Sequence, residues 1–298
     1  MRYLCYDLLI DSDLPLPELH EAPAVRLDGE PDVLIREGAL PEEGSAYGQP
    51  IGPLAWATPR CLFMRAALCG RFLIEDGRRI TWALAPGQDL ASLRLFLLGS
   101  ALGALLTQRG VFVLHGNAIR VGDGALVCVG PSGAGKSTLA AGLLGRGLRA
   151  LADDVVALDA RGRVLPGLPR IKLWQDAAEK LALDTQGLNR LRPGIEKFSV
   201  PMEDGAEWGA QPLRGVYELH VHRKDSVEIE PVRGIERVKL LQLNLYRQNF
   251  QAVQPTRPEH LMMLARLSGA TRVARVRRPE FGFALDALMD ALLADLEA

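Results

Sequence analysis

Hydrophobic and polar positions alternate in short runs over the first part of the chain, with Pro, Gly and Asp between the runs. Alternation with a period of two is typical of β-strands that have one buried face. The turn Glu75-Asp76-Gly77 predicts a hairpin that joins strands at residues 72–74 and 80–83. Residues 1–86 are therefore predicted to form a small β-rich domain. Further strands are predicted at residues 4–10, 33–36 and 61–69, and residues 40–53 are predicted to form a loop.

The pattern changes to a helical period at residues 89–108, where leucines and other apolar residues cover a broad face. Polar and glycine positions interrupt this segment, so it is too short and too interrupted to be predicted as a membrane span. We expect it to be a helix of the protein core, and it marks the start of a second domain that covers residues 87–298.

A continuously apolar strand at residues 125–129 leads into a glycine-rich loop, a helix at 136–144 and a second buried strand at 149–158. Strand, loop, helix and strand in this order form a unit of the βαβ type, which predicts an α/β fold. The other elements predicted in this domain are strands at 111–114, 118–121, 215–221 and 227–231, and helices at 175–183, 238–245, 258–267 and 283–297.

Composition and charge exclude several classes of protein. The chain has 298 residues, and its 35 Lys and Arg nearly cancel 36 Asp and Glu, so no global field favours nucleic acid or an anionic membrane. The four cysteines have neither the spacing of a zinc site nor the density of a disulfide scaffold. The first residues contain no apolar run typical of a signal peptide. We expect a soluble cytoplasmic protein.

The glycine-rich loop carries the strongest chemical signal in the sequence. A Gly-x4-Gly-Lys-Ser segment occurs by chance in roughly one chain in a hundred of this length. Between a buried strand and a helix, such a loop can direct backbone N–H groups and the helix N-terminus at phosphate oxygens. Lys136 would reach the β- and γ-phosphates, and Ser137 would bind Mg²⁺. The loop therefore predicts binding of ATP or a related nucleotide with Mg²⁺ by Gly130, Ser132, Gly133, Ala134, Gly135, Lys136, Ser137 and Thr138.

Two adjacent carboxylates, Asp153 and Asp154, stand in the strand at residues 149–158. Carboxylates near the loop can divide the work of binding Mg²⁺ and accepting a proton. Adjacent side chains of a strand point to opposite faces, so both can face one site only where the strand ends or bends. The alternative is a solvated acidic turn, since Asp is common in turns.

Three segments resemble the catalytic domain of HPr kinase/phosphorylase and its relatives: Leu114-His115-Gly116, the loop up to Ser137, and Gly147 to Asp154, which ends Ala-Asp-Asp. They occur in the same order as in that family, across about forty residues. The resemblance implies an α/β P-loop kinase domain of HPr kinase type with a helical C-terminal tail, preceded by the small β-rich N-terminal domain. Leu173-Trp174 and the β-rich region look closer to the HPr kinase-like serine kinases of lasso-peptide biosynthesis, which act on the precursor C-terminus.

The resemblance also implies catalytic roles. Asp154 would accept the proton of the substrate hydroxyl, Asp153 would be a magnesium or orienting carboxylate, and His115 would position the aspartates. From the residues alone, a structural histidine that caps the turn at Gly116 is the favoured interpretation of His115. Arg214-Gly215 resembles a second signature of HPr kinases, in which the arginine supports the active site.

Three positions depart from the HPr kinase pattern, and they argue against HPr as the substrate and against reverse phosphorolysis. Pro212 stands where the second signature has a glutamate, Tyr217 where it has a glycine, and Thr138 where a glutamate follows the loop serine. Basic residues that could contact phosphates or a peptide carboxylate are Arg170 and Lys172 first, then Lys197 and Arg247.

The sequence thus predicts an ATP- and Mg²⁺-dependent kinase that phosphorylates a serine of a peptide or protein. Three alternatives stay open: a kinase of a small hydroxylated metabolite such as free serine, a P-loop NTPase without transfer chemistry, and a nucleotide-dependent binding module. The absence of an Asn-Lys-x-Asp motif argues against GTP. Leu267-Ser268-Gly269-Ala270 faintly echoes a transporter ATPase signature and is predicted to be a helix end. Oligomeric state is open, although HPr kinases are hexamers.

Overall fold

The chain forms two compact units in a computed structural model. The model describes residues 1–66, 69–168, 170–175, 178, 189–190, 197–201, 209–251, 253–254, 258–282 and 284–297. Unit 1 contains Met1–Val113 and Tyr246–His260, and unit 2 contains Leu114–Leu245 and Leu261–Ala298. The mixed α/β class predicted from the sequence is confirmed.

Unit 1 is built on a nine-stranded sheet with the order β3-β1-β2-β4-β9-β8-β7-β6-β5. The predicted hairpin is present, and β8 pairs with β9 from Gly70↔Leu84 to Glu75↔Arg79. The predicted loop at 40–53 contains a further strand, β5. The strands are β1 Arg2–Cys5, β2 Leu8–Ser12, β3 His20–Glu21, β4 Val33–Glu37, β5 Gln49–Gly52, β6 Ala55–Ala57, β7 Cys61–Ala66, β8 Gly70–Glu75 and β9 Arg79–Leu84.

The apolar segment predicted as a core helix packs against β8 and β9 in unit 1. Asp89 caps its start, because the Asp89 carboxylate accepts a hydrogen bond from Ser92 N at 2.7 Å. By length and composition alone, Leu90–Gln108 is apolar enough to cross a membrane, but 72% of its most apolar window is buried inside the protein. That burial is typical of a core helix. The segment Leu90–Gln108 comprises α2 Leu90–Phe96, a π-helical segment Leu97–Ala101 and α3 Leu102–Gln108. The short α1 is Ala24–Leu27.

The division between the units differs from the boundary predicted after residue 86. The helical segment 90–108 buries its apolar face on the first sheet, so it groups with the strands before it. A later segment also returns to unit 1. Tyr246 packs against Gly103, where a Cβ atom would lie 2.4 Å from the ring, and Asn249 Nδ2 donates to Ile51 O at 3.1 Å.

Unit 2 contains a seven-stranded sheet with the order β11-β10-β12-β13-β17-β19-β18, in which β11 also pairs with β17. β11 is antiparallel to β10 and parallel to β17, and β17 is parallel to β19. A small antiparallel sheet has the order β14-β16-β15. The strands are β10 Phe112–Val121, β11 Gly124–Val129, β12 Arg149–Leu158, β13 Arg163–Val164, β14 Arg170–Trp174, β15 Asn189–Arg190, β16 Lys197–Pro201, β17 Gln211–His222, β18 Glu228–Pro231 and β19 Arg272–Pro279.

Helices cover one face of this sheet. Tyr217, Leu219 and Val276 contribute to a buried cluster with residues of α4 and α8. Gly142 allows close packing of these helices, because a Cβ atom there would lie 2.7 Å from Leu285 Cδ2. The remaining helices are α4 Lys136–Gly145, α5 Ile235–Leu243, α6 Gln248–Gln251, α7 Pro258–Ala270 and α8 Leu285–Glu297.

Most elements of unit 2 lie where the sequence predicts them, and β12 has the predicted bounds. Two predictions were wrong in detail. The strands expected at 111–114 and 118–121 are one continuous strand, β10, and the C-terminal region predicted to contain helices also contains β19. The helix predicted at 175–183 lies mainly outside the described residues.

Candidate active site

The glycine-rich loop joins the fully buried strand β11 to α4. Gly130, Gly133 and Gly135 have φ angles of 129°, 82° and 101°, a region that residues with a Cβ atom rarely adopt. Gly130 also lies close to the neighbouring strand, because a Cβ atom there would be 2.6 Å from Leu219 O. The glycines are therefore required by the turn that leads the chain into the N-terminus of α4.

Lys136 starts α4 and turns back over the loop. Its Nζ donates to Gly130 O at 2.7 Å and to Pro131 O at 3.1 Å. Ser137 and Thr138 follow in the first helical turn and are half-buried, while Ser132 is exposed and Ala134 is buried. The predicted nucleotide-binding residues thus lie in the loop and in the first turn of α4. The ammonium group of Lys136 is hydrogen-bonded to the first residues of the loop.

The aspartate pair meets the geometric condition that the sequence sets. Asp154 has a φ angle of 73°, so β12 bends there and the strict alternation of faces is broken. Both carboxylates then reach the same residue: Lys172 N donates to Asp153 Oδ2 at 2.8 Å, and Lys172 Nζ donates to Asp154 Oδ2 at 2.6 Å. Asp153 is buried, which does not fit a solvated acidic turn.

His115 lies beside Asp154. The distance from His115 Nδ1 is 3.4 Å to Asp154 Oδ1 and 3.2 Å to the Asp154 carbonyl oxygen. The main-chain N–H of His115 donates to Asn244 O at 2.8 Å, which fixes the strand at this point.

The charges around His115 identify the groups that share the site. Burial lowers the pKa of His115, and the positive charges of Lys136 and Lys172 lower it further, whereas the negative charge of Asp154 raises it. One imidazole therefore senses the loop lysine, the aspartate and the strand lysine together. Lys136, Lys172 and Asp154 therefore all lie close enough to His115 to shift its pKa.

Of the basic residues predicted to contact substrate, Lys172 is at the site and Arg214 is not. Arg170 lies two residues before Lys172 on β14, and both are buried. Arg214 contacts the start of β11: its Nη1 lies 3.3 Å from Asp123 Oδ1, and a Cβ atom on Gly124 would touch its side chain. Because β17 runs parallel to β11, Arg214 lies at the end of β11 away from the loop, about 15 Å from Gly130.

The two other candidate cations are Lys197 and Arg247. Lys197 is the first residue of β16, and Arg247 belongs to unit 1, where its guanidinium lies 5.8 Å from the Tyr246 ring centroid and 5.6 Å from that of Phe250. Arg247 therefore has a structural explanation in the aromatic side chains next to it in sequence.

Arg278 contacts the glycine-rich loop, and the sequence prediction did not include it. Its Nε donates to Ala134 O at 2.8 Å, and a Cβ atom on Gly135 would lie 3.0 Å from Nε and 3.3 Å from Nη2. Burial lowers the pKa of Arg278 from its ordinary value. The alternation of apolar Ala274 and Val276 with Arg275 and Arg277 could have indicated a strand that carries Arg278 to this position.

No protein-family model matches the chain, and no curated protein matches it. Among solved structures it is similar to the Hpr(Ser) kinase/phosphatase from Coxiella burnetii, with 12% identity over 62% of this chain and 89% of that chain, and a TM-score of 0.28. A likeness at this level carries no functional weight. The side chains around the loop must therefore support any assignment of activity.

The residues expected to bind Mg²⁺ are hard oxygen donors, the type of ligand that Mg²⁺ takes. No group of three or more His, Cys, Asp and Glu side chains that could hold a metal ion occurs among the described residues. Mg²⁺ commonly takes only one or two carboxylates, with phosphate oxygens and waters completing its shell. The hydroxyl of Ser137 and the carboxylate of Asp153 are the hard oxygen donors that this chain would supply.

The ion pair between Lys172 and Asp154 gives a first prediction. The Lys172 side chain is 9% exposed and that of Asp154 is 33% exposed, so removing the ammonium leaves a partly buried carboxylate without its counter-ion. We expect Lys172→Met to lower the free energy of unfolding by about 2 kcal/mol, less than for a fully buried pair. Urea denaturation measures this change. Lys224→Met is the control, because Lys224 is 70% exposed in its ion pair with Glu228 and should change stability by less than about 0.5 kcal/mol; equal losses in both variants would contradict the prediction.

Proposed function

We propose that this protein is an ATP- and Mg²⁺-dependent kinase that transfers the γ-phosphate to a serine hydroxyl of a peptide or protein. The observation that carries the proposal is the contact of His115 with Asp154, close enough to the loop lysine for the charge of Lys136 to act on the imidazole. His115 contacts Asp154 at 3.4 Å, and its pKa is shifted by the charges of Lys136, Lys172 and Asp154. A phosphate-binding loop beside a held carboxylate provides the two groups that phosphoryl transfer to a hydroxyl requires.

Phosphoryl transfer depends mainly on position and charge. Lys136 and the main-chain N–H groups of the loop would hold and neutralise the β- and γ-phosphates. As the serine oxygen bonds to phosphorus, the bond from phosphorus to the β-γ bridging oxygen breaks and ADP leaves. Asp154 would accept the proton that the serine hydroxyl loses. Bound Mg²⁺, held by Ser137 and Asp153, would neutralise charge on the phosphates.

Lys172 and His115 position Asp154 for this role. The ammonium of Lys172 holds one carboxylate oxygen at 2.6 Å, and His115 lies beside the other. The left-handed backbone at Asp154 is unusual for a residue with a Cβ atom, and it persists because the strand and these contacts fix it. The carboxylate is therefore oriented before a substrate arrives, which lowers the cost of aligning it with a hydroxyl.

The acceptor we propose is a serine on a peptide or protein, with the C-terminal serine of a lasso-peptide precursor as the specific candidate. The loop, the histidine and the Ala-Asp-Asp segment resemble those of HPr kinase-like serine kinases, which supports a serine as the acceptor. Lys172 contacts the Asp154 carboxylate directly, and Arg170 lies two residues before Lys172 on β14. We place the protein in the cytoplasm, with no nucleic-acid or membrane partner, and the proposal is compatible with a homo-oligomer.

Mass spectrometry of a reaction with Mg²⁺ and labelled ATP tests this function. The acceptors are serine-ended peptides encoded by neighbouring genes, HPr and free serine, each in a separate reaction. A phosphorylated peptide is the expected result. Phosphorylation of free serine alone would indicate a metabolite kinase, and ATP consumption without a labelled acceptor would indicate a hydrolysing NTPase; either result rejects the proposal.

A further inference from the structure

Three neighbouring parallel strands, β11, β17 and β19, end at the edge of the sheet that carries the glycine-rich loop. Ligands of α/β proteins bind beyond the carboxyl ends of such strands. β17 and β19 continue past the start of the loop. Gly130 approaches Leu219 O, and two residues farther along β17, Val221 pairs with Arg278 of β19. The edge next to the loop is therefore formed by the last residues of β17 and β19.

Two large apolar side chains are exposed at this edge. Val221 is 46% exposed, and Phe281, three residues after Arg278, is 75% exposed. Tyr217 and Leu219 of β17 pack in the cluster with α4 and α8, so the period of two puts Val221 on the same face, beyond the covered core. Apolar side chains next to a few convergent polar groups can hold the apolar part of a ligand.

Arg278 connects this apolar edge to the loop. Its guanidinium donates to Ala134 O and approaches Gly135, while its main chain pairs with Val221. Glu280 N donates to His222 O at 2.8 Å, which ties the segment before Phe281 to the end of β17. The edge thus presents the glycine-rich loop first, then Arg278, and then the apolar side chains. This order matches that of the phosphates and the base in a nucleotide.

We propose that Val221 and Phe281 form the nucleobase subsite of this protein, with Arg278 between the base and the phosphates. The inference rests on the proposed function for the nucleotide in the loop, and it adds the recognition of the base. The spacing of the strands supports this subsite. β19 lies two strands from β11, about 10 Å away, so the loop that follows β19 lies to one side of the phosphates.

The occupant we assign is a base and not a peptide side chain, because the exposed ring of Phe281 lies three residues after Arg278, a cation that contacts the loop. A base presents a flat π-face that stacks on an aromatic ring, and removing one such ring typically weakens binding by about tenfold or more. Inorganic tripolyphosphate has no base, so its binding should not depend on Phe281.

Calorimetric titration of the full chain in Mg²⁺, with ATP and separately with tripolyphosphate, tests the subsite. We expect Phe281→Ala to weaken ATP binding about tenfold or more and to leave tripolyphosphate binding within about threefold of wild type. Phe281→Trp should restore ATP affinity, since tryptophan can stack on the base. Leu243→Ala, which changes an exposed leucine on α5, is the matched control and should alter neither titration.

Equal effects of Phe281→Ala on both ligands, or no effect on either, would overturn the subsite. A different result would reject the kinase proposal alone: ATP affinity depends on Phe281, but no hydroxyl acceptor is phosphorylated. A wild-type chain that binds neither ligand would reject both inferences. Phe281 is largely exposed, so its replacement should not disturb folding.

Discussion

Replacing Asp154 by asparagine is expected to lower the rate of phosphoryl transfer by about 100- to 10,000-fold, the contribution typical of a general base. Asparagine has nearly the same shape, but its amide cannot accept the serine proton. Asn also tolerates the left-handed backbone that Asp154 adopts at φ 73°, so the bend of β12 should persist. ATP affinity should stay within about threefold of wild type, because the loop and Lys136 are unchanged.

The rate of phosphoryl transfer is measured in single-turnover reactions with the acceptor peptide. The affinity for ATP is measured separately by calorimetry. Asp123→Asn is the matched control: the Asp123 side chain is 92% exposed, in the turn between β10 and β11, and its change should affect neither measurement. Asp154→Ala adds a second contrast, because alanine lacks the polar side chain that tolerates the left-handed region and should also lower stability. If Asp154→Asn transfers phosphate at the wild-type rate, Asp154 is not the general base.

The local elements around the loop could be predicted because each has a strong local signal. A fully apolar run indicates β11, the spacing of glycines indicates the turn, and an Ala- and Leu-rich segment followed by Gly145 and Gly147 indicates the end of α4. β12 has the predicted bounds for the same reason. In these segments the preference of the chain agrees with the tertiary fold.

The elements that were missed depend on pairing between distant parts of the chain. β19 follows α7 with only one residue between them, and it is a strand because β17 and β18 flank it. The boundary expected after residue 86 moved because α2 and α3 pack on the sheet that precedes them. Neither fact has a signature within a short window of sequence, since both depend on which surfaces meet after folding.

The candidate site divides in the same way. The motifs predict Lys136, Asp153 and Asp154 as site residues, but they could not show that both aspartates contact Lys172, which depends on one backbone angle. The partnership of Lys172 with Asp154 arises across 18 residues, and the contact of Arg278 with the loop across 144. Arg214, singled out by resemblance, lies at the far end of β11 because the parallel register of β17 places it there.

Lys136→Met is expected to have the other large effect, lowering kcat/KM for ATP by at least about 100-fold, as when a group that stabilises transition-state charge is removed. The variant keeps the length and apolar stem of lysine but loses the ammonium that would hold the β- and γ-phosphates. Binding should weaken as well as transfer, which distinguishes this variant from Asp154→Asn. Steady-state kinetics and calorimetric titration with ATP provide both values.

The ammonium of Lys136 also donates to Gly130 O and Pro131 O, so part of any loss could come from a looser loop. Lys136→Arg separates the two causes, because it keeps the positive charge but replaces a compact ammonium by a planar fork that fits the turn less well. A phosphate-binding role predicts that arginine recovers part of the ATP affinity and little of the transfer rate. Lys239→Met is the control, since Lys239 is 58% exposed on α5 and pairs with Glu236. Wild-type ATP binding by Lys136→Met would show that the loop does not hold the triphosphate.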